Sequence, residues 1–261
     1  MRDLRILTVG SSTCFMTAPV RPTRVDGPYP ELLPEILALQ GISARSSLRS
    51  QWYGMIHEAL PRQESYRDTM PDVVILNFGL AECQPNVLPT WINRHFTTWN
   101  HGTRPFSRWY RKKPIRPMWK KARQWQRLGS RIVKQRTHRL SPTRFEISMR
   151  TLIKLLRNDM QCLVIVLDID PPDDKVEHFL PGLGQRVARY NEILRQVVSS
   201  FDSPEVRLLE TSHIVADHGF KAALPDGLHR SPMGHRLVAE EICAEIGPWA
   251  KSTLAGVVVE P

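Results

Sequence analysis

Ile6-Leu7-Thr8-Val9-Gly10-Ser11-Ser12-Thr13 passes from an apolar run to a glycine and then to three hydroxyl residues. The run, over about residues 4–9, predicts a buried β-strand, and the glycine marks the tight turn in which the strand ends and a helix begins. In an open parallel sheet, such a turn presents Ser12 at the carboxyl edge, where these sheets bind ligands. The same residues suit a plain helix cap, because Ser and Thr side chains accept the free N–H groups of a first helical turn. The rest of the chain has to decide between the two.

Strand and helix patterns alternate along most of the sequence, as in a parallel sheet covered on both faces. After the first strand come an amphipathic helix over Pro30 to Gln40, a strand over Ile42 to Leu48, a short helix over Tyr53 to Leu60 and a strand over Asp72 to Phe78. The alternation resumes with a helix over Phe145 to Leu156 and a strand over Cys162 to Asp168. It continues with a helix over Val187 to Phe201, a strand over Val206 to Glu210 and a last helix from about Met233 to Ile246. With right-handed crossovers, five such strands predict a three-layer, flavodoxin-like α/β fold with a parallel sheet of order 2-1-3-4-5. The 261 residues and 41% hydrophobic content suit one domain of this kind.

Near the other end of the chain stands Asp226-Gly227-Leu228-His229. A serine hydroxyl is a weak nucleophile unless an imidazole takes its proton, and a carboxylate best holds that imidazole in the right tautomer. Taken alone, Asp226 suits a turn cap and His229 a surface position. Taken with Ser12 at the mouth of the same sheet, they make a candidate triad of Ser12 as nucleophile, His229 as base and Asp226 as its orienting carboxylate.

These blocks resemble the SGNH or GDSL hydrolases, whose first block is Gly-Asp-Ser after strand one and whose last is Asp-x-x-His before the final helix. Gly79-Leu80-Ala81-Glu82, after the third strand, stands at the place of that family's Gly-x-Asn-Asp. The resemblance implies a serine esterase or acyltransferase with Ser12, Asp226 and His229 as catalytic residues. It also implies an oxyanion hole near Ser12, a second-block glycine in Arg49 to Gly54, and the third block. The chain departs from the pattern twice, with Ser11 for the Asp and Ala81 for the Asn that would donate its amide to the oxyanion. The candidate oxyanion residues are therefore Ser12, Gln51, Gly54, Gly79 and Ala81, with Asn77 and Gln84 as further side-chain donors. Losing one oxyanion donor costs about 100- to 1000-fold in rate where an enzyme is built around it.

The interruption from Cys83 to Arg144 has its own character. Between Cys83 and Phe145 there is no Asp or Glu but there are 16 Lys and Arg, whereas the rest of the chain has 20 basic and 26 acidic residues. The formal charge of +10 therefore comes from this segment. It also holds five of the seven tryptophans, which sets it apart from a disordered charged tail. Inserted after the third strand, it is expected to form a lid or cap at the catalytic edge. Gln84, Arg94, Trp99, Arg104 and Trp109 are its candidate substrate contacts. Its tryptophans suit equally the core of a small helical cap with a charged outer face. Coenzyme A, an acyl carrier protein or an anionic membrane face fits its charge, and nucleic acid ranks last among the partners weighed.

Together these features predict an acyltransferase that moves an acyl group from an anionic donor to a sugar, another small-molecule hydroxyl or an amine. A GDSL-type esterase or deacetylase is the alternative, and a degenerate fold that binds an acidic partner is the third reading. No cofactor or metal is expected, since Cys14, Cys83, Cys162 and Cys243 lack the spacing of a metal site. No apolar run is long enough to cross a bilayer and none resembles a leader, so a cytoplasmic location is expected, with the cysteines as free thiols.

Overall fold

A computed structural model describes residues 2–18, 27–50, 54–85 and 139–256, with Leu128 between them. Its five strands are β1 (Leu4–Gly10), β2 (Ala44–Ser50), β3 (Val73–Asn77), β4 (Leu163–Leu167) and β5 (Val206–Leu209). All are parallel, and their order is β2-β1-β3-β4-β5. The order reverses between β1 and β3, so a crevice opens beyond Gly10 and Asn77, which are paired in register.

Buried strands alternate their side chains between two cores. Leu7, Val9, Val74, Leu76, Val164 and Val166 face one side. Leu4, Ile6, Val73, Ile75, Leu163 and Ile165 face the other. Chain order supplies the helices α1 (Tyr29–Leu39), α2 (Ile56–Ala59), α3 (Gln63–Arg67), α4 (Leu80–Cys83), α5 (Pro142–Met160), α6 (Asp174–Phe179), α7 (Leu183–Ser199), α8 (His213–His218), α9 (Phe220–Ala223) and α10 (Pro232–Gly256). Helices α5 and α7 cover the first face with Phe145, Met149, Leu152, Tyr190 and Leu194. Helices α1 and α10 cover the second with Leu33, Leu37, Val238, Ile242 and Ile246.

Local chemistry explains the element ends. Helix α5 begins where the Ser141 hydroxyl accepts the Arg144 N–H at 3.3 Å with Pro142 as first helical residue, and it stops where Gln161 turns left-handed. Strand β2 begins two residues later than its apolar pattern suggested. Ala44-Arg45-Ser46-Ser47-Leu48-Arg49-Ser50 is a half-exposed edge strand whose polar residues carry no alternation. Among the described residues no helix is long and apolar enough to cross a membrane, and no cluster of His, Cys, Asp or Glu is arranged to hold a metal ion.

Candidate active site

The nucleophile turn follows directly from Gly10. A Cβ there would lie 2.5 Å from the Asn77 carbonyl oxygen and closer still to Cys14 Sγ, so only glycine lets β1 pass so near β3 at its exit. The Ser11 N–H then donates to Asn77 O at 3.2 Å, and residues Ser12–Cys14 form a single 3-10 turn. Below it runs a buried neutral relay. Ser11 Oγ and Thr13 Oγ1 are 3.1 Å apart, Thr13 donates to Asn77 Oδ1 at 3.0 Å, and Asn77 Nδ2 donates to Tyr29 Oη at 3.3 Å. Tyr29 in turn donates to Cys14 Sγ, and burial pushes that thiol up to about 12, so it stays protonated beside the turn.

Across the crevice, Asp226 to His229 forms a compact loop before α10. Asp226 Oδ1 accepts the N–H groups of Leu228 and His229 at 2.9 and 2.6 Å, and Oδ2 accepts His229 Nδ1–H at 2.9 Å. The bond fixes the tautomer and leaves Nε2 of the neutral ring as an acceptor, 3.3 Å from Ser12 Oγ. Burial acts to raise the Asp226 carboxyl, but the side-chain and backbone hydrogen bonds from His229 and Leu228 outweigh it and hold the group below its ordinary value. Gly227 has φ +76°, and a Cβ there would meet Val176 Cγ2 at 2.6 Å, so this turn too needs glycine. Ser12 and the Asp226–His229 pair, 217 residues apart between Ser12 and His229, thus form one hydrogen-bonded line.

The other candidates are distributed differently. The Gly79 N–H, expected among the oxyanion donors, instead donates to Glu82 Oε2 at 2.8 Å. Gly79 and Glu82 stand at the Ncap and N3 positions of α4, a three-residue capping spacing that the sequence displays. The other Glu82 oxygen accepts the Ile56 N–H at 2.7 Å, tying the third block to the start of α2. Full burial pushes this carboxyl up to about 7, against the pull of those backbone donors and of Arg139. The Asn77 amide, a further expected donor, is committed to Tyr29 beneath the turn. Ala81 is buried in α4 and has no polar side-chain atom.

The two remaining described candidates lie near the exit of β1. The Ser12 N–H heads its turn with no partner among the described residues, and Gly54 lines a small cavity beside Gly10, Val9 and Phe78. Gln84 lies at the root of the basic segment. There its carbonyl oxygen accepts the Arg139 N–H at 3.1 Å, and the same N–H reaches Glu82 O at 2.9 Å. Gln51, Arg94, Trp99, Arg104 and Trp109 lie outside the described residues. The two roots are therefore side by side at the carboxyl end of β3. Arg186 Nε donates to Cys83 O at 2.7 Å and the Tyr190 hydroxyl donates to Leu140 O, so α7 braces both roots.

The acidic residues after β4 act as fasteners. Asp173 caps α6 by accepting the Val176 N–H at 2.6 Å. Asp168 is buried and accepts the N–H groups of Thr211 and Ser212 at 2.7 and 3.1 Å. Burial raises its carboxyl above the ordinary value despite these donors. Asp170 forms a bidentate pair with Arg230. His235 is likewise structural: Nδ1 accepts the Tyr29 N–H at 3.2 Å and Nε2–H donates to Met16 O at 3.0 Å. Burial pushes it down to about 4, so it stays neutral. No pattern around Arg230 or His235 announces these partners; the only sequence signal is their nearness to His229.

With this sheet order and these flanking helices, the chain has the fold of solved GDSL-type lipases and esterases. A lipase/acylhydrolase from Enterococcus faecalis matches with a TM-score of 0.62 at 13% identity, over 94% of this chain and 96% of its own. An acetyl xylan esterase matches with a TM-score of 0.59 at 16% identity, over 92% of this chain and 98% of its own. A GDSL-like lipase from Parabacteroides merdae matches with a TM-score of 0.57 at 13% identity, over 94% and 96%. The sequence matches no protein-family model and no curated protein.

Proposed function

We propose that this chain is a serine esterase that cleaves a carboxylic ester through an acyl-Ser12 intermediate. The observation that carries the reading is the unbroken line from Ser12 Oγ through His229 to Asp226 at the carboxyl edge of the sheet. The structural neighbours, described as a lipase/acylhydrolase and an acetyl xylan esterase, favour ester cleavage over the acyl transfer expected from the basic segment.

In this reading Ser12 Oγ attacks the ester carbonyl carbon as its proton passes to His229 Nε2, and the C=O electron pair moves onto oxygen. That oxyanion rests on the backbone N–H groups of Ser12 and Gly54. When the tetrahedral centre collapses, the C–O bond to the alcohol breaks and His229 returns the proton to the leaving oxygen. A water, deprotonated by His229, then cleaves the acyl-Ser12 ester, releasing the acid and restoring the serine. Asp226 steadies the imidazolium in both halves. With Ala81 in place of an amide donor, this hole relies on backbone alone and is correspondingly slower.

The charge of the segment rooted at Glu82 and Arg139 favours a second reading, transfer of the acyl group to an acceptor hydroxyl or amine. There the segment acts as a lid that attracts an anionic donor such as coenzyme A or an acyl carrier protein. Either chemistry suits a cytoplasmic protein whose four cysteines remain thiols. A fluorophosphonate probe tests the shared step: it should label Ser12, and Ser12→Ala should abolish both labelling and p-nitrophenyl acetate hydrolysis. Labelling that persists in Ser12→Ala, or no labelling of the native protein, defeats the proposal. Acyl-enzyme breakdown that accelerates with added sugar or amine acceptors would favour transfer.

A further inference from the structure

Arg230 directly follows His229 and is almost fully buried, with its side chain 5% exposed and that of Asp170 11% exposed. Its guanidinium meets Asp170 in two parallel bonds, Nε to Oδ2 at 2.9 Å and Nη2 to Oδ1 at 3.0 Å. Nη2 also donates to Thr211 Oγ1 at 2.8 Å, and Thr211 is itself held by Asp168 through its N–H and its hydroxyl. The Arg230 carbonyl oxygen accepts the Ala18 N–H at 2.8 Å. One residue thereby joins the loop bearing His229 to the exit of β4, the exit of β5 and the chain leaving the Ser12 turn.

Stability alone does not account for this arrangement. Taking two charges out of water costs several kcal/mol per ion, and a buried pair usually does no better than apolar side chains of similar volume. What a guanidinium fork supplies is direction, because two parallel bonds to a carboxylate fix the plane and the approach of the arginine. The beneficiary is the neighbouring imidazole. Asp226 fixes the His229 tautomer from within its own loop, but it does not fix where that loop stands relative to Ser12. Misplacing a reacting group by about 1 Å costs about 100-fold in rate.

We infer that Arg230, through its bidentate pair with Asp170 and its bond to Thr211, is a positioning residue that holds His229 within hydrogen-bond reach of Ser12. The inference rests on the proposed Ser12 chemistry for its kinetic consequence, though its geometric part stands without it.

The test compares native protein with Arg230→Lys, Asp170→Asn and the double variant Arg230→Met/Asp170→Leu, which removes both charges of the pair. Three quantities are measured: melting temperature, the downfield proton resonance of His229 Nδ1–H (assigned by its loss in Asp226→Asn), and the rate of Ser12 labelling by a fluorophosphonate. The double variant should melt near the native temperature, label about 10- to 100-fold more slowly and show a shifted or broadened resonance. Arg230→Lys, which keeps the charge and loses the fork, should fall between it and native. A folded double variant with native resonance and native labelling rate would overturn the inference. If native protein shows the resonance but is never labelled, the esterase reading fails, while the resonance still reports whether Arg230 holds His229.

Discussion

Ser12 sits on a turn fastened by neutral groups, whereas His229 sits on a loop fastened by charged ones. The first side depends on glycine, hydroxyls and an amide: Gly10 against Asn77, Ser11 against Thr13, Thr13 against Asn77. The second depends on Asp226 against His229 and Arg230 against Asp170. The nucleophile needs only a fixed place, which sterics and neutral hydrogen bonds supply. The base must also accommodate a positive charge that comes and goes, and a carboxylate beside it is what stabilises that charge.

The sharpest break in this contrast is Asp226→Asn. It preserves the loop's shape but favours the wrong histidine tautomer, and Ser12 labelling and ester turnover should fall about 10⁴-fold with the melting temperature little changed. A comparable effect on melting and none on labelling would remove Asp226 from the chemistry. On the neutral side, Gly10→Ala should act through structure. Its Cβ would meet the Asn77 carbonyl at 2.5 Å, and overpacking of this kind costs about 3 kcal/mol. Denaturant unfolding should register that loss together with slower labelling.

Buried ionisable groups on the two sides give the next effect, with opposite signs. Glu82 is raised from 4.5 to about 7, so its stabilising contribution is complete below pH 4.5 and is lost as pH rises through 7. His235 is lowered from 6.5 to about 4, so its contribution is present above pH 6.5 and is lost as pH falls through 4. Between about pH 4.5 and 6.5 the two slopes oppose each other, each worth about 3 kcal/mol over its full shift, and native stability should vary little from this source. Glu82→Gln should expose a stability that rises with pH across that range, and His235→Gln one that falls. Parallel slopes in urea titrations of the two variants would contradict the assignment. The smallest effect should come from Thr13→Val. It removes the neutral bonds to Asn77 at 3.0 Å and to Ser11 at 3.1 Å and should cost about 1–2 kcal/mol with labelling nearly intact.

The same contrast governs what could be read before the structure. Strands β3 and β4 are almost wholly apolar and β1 largely so, all buried on both faces, and such runs are legible wherever they occur. The edge strand β2 was displaced because its polar residues give no period, and Ile42 drew the reading toward itself. The sequence pattern of α10 ends at Ile246, where Gly247-Pro248 has the composition of a helix stop, yet Ala250 beyond it is buried in the core shared with α1. Ser12, Asp226 and His229 stand out because each lies in a short block with its own turn residues. Arg230 and Asp170 do not, since 60 residues separate them and no local pattern couples an arginine to a distant aspartate. Gly79 is the opposite case: Glu82, which accepts its N–H, stands only three residues on, at a capping spacing visible in the sequence.

The pinched roots of the basic segment carry a last consequence. Because Arg139 N–H lies against the carbonyl oxygens of Glu82 and Gln84, the chain returns to the point from which it left. The entropy of closing such an excursion grows only logarithmically, by about 0.6 kcal/mol for each doubling of its length. The sheet and the Ser12–His229 line therefore feel the anchorage but hardly the number of residues beyond it. A change in the number of residues between Gln84 and Arg139 should therefore cost the framework little stability, provided that this anchorage is kept.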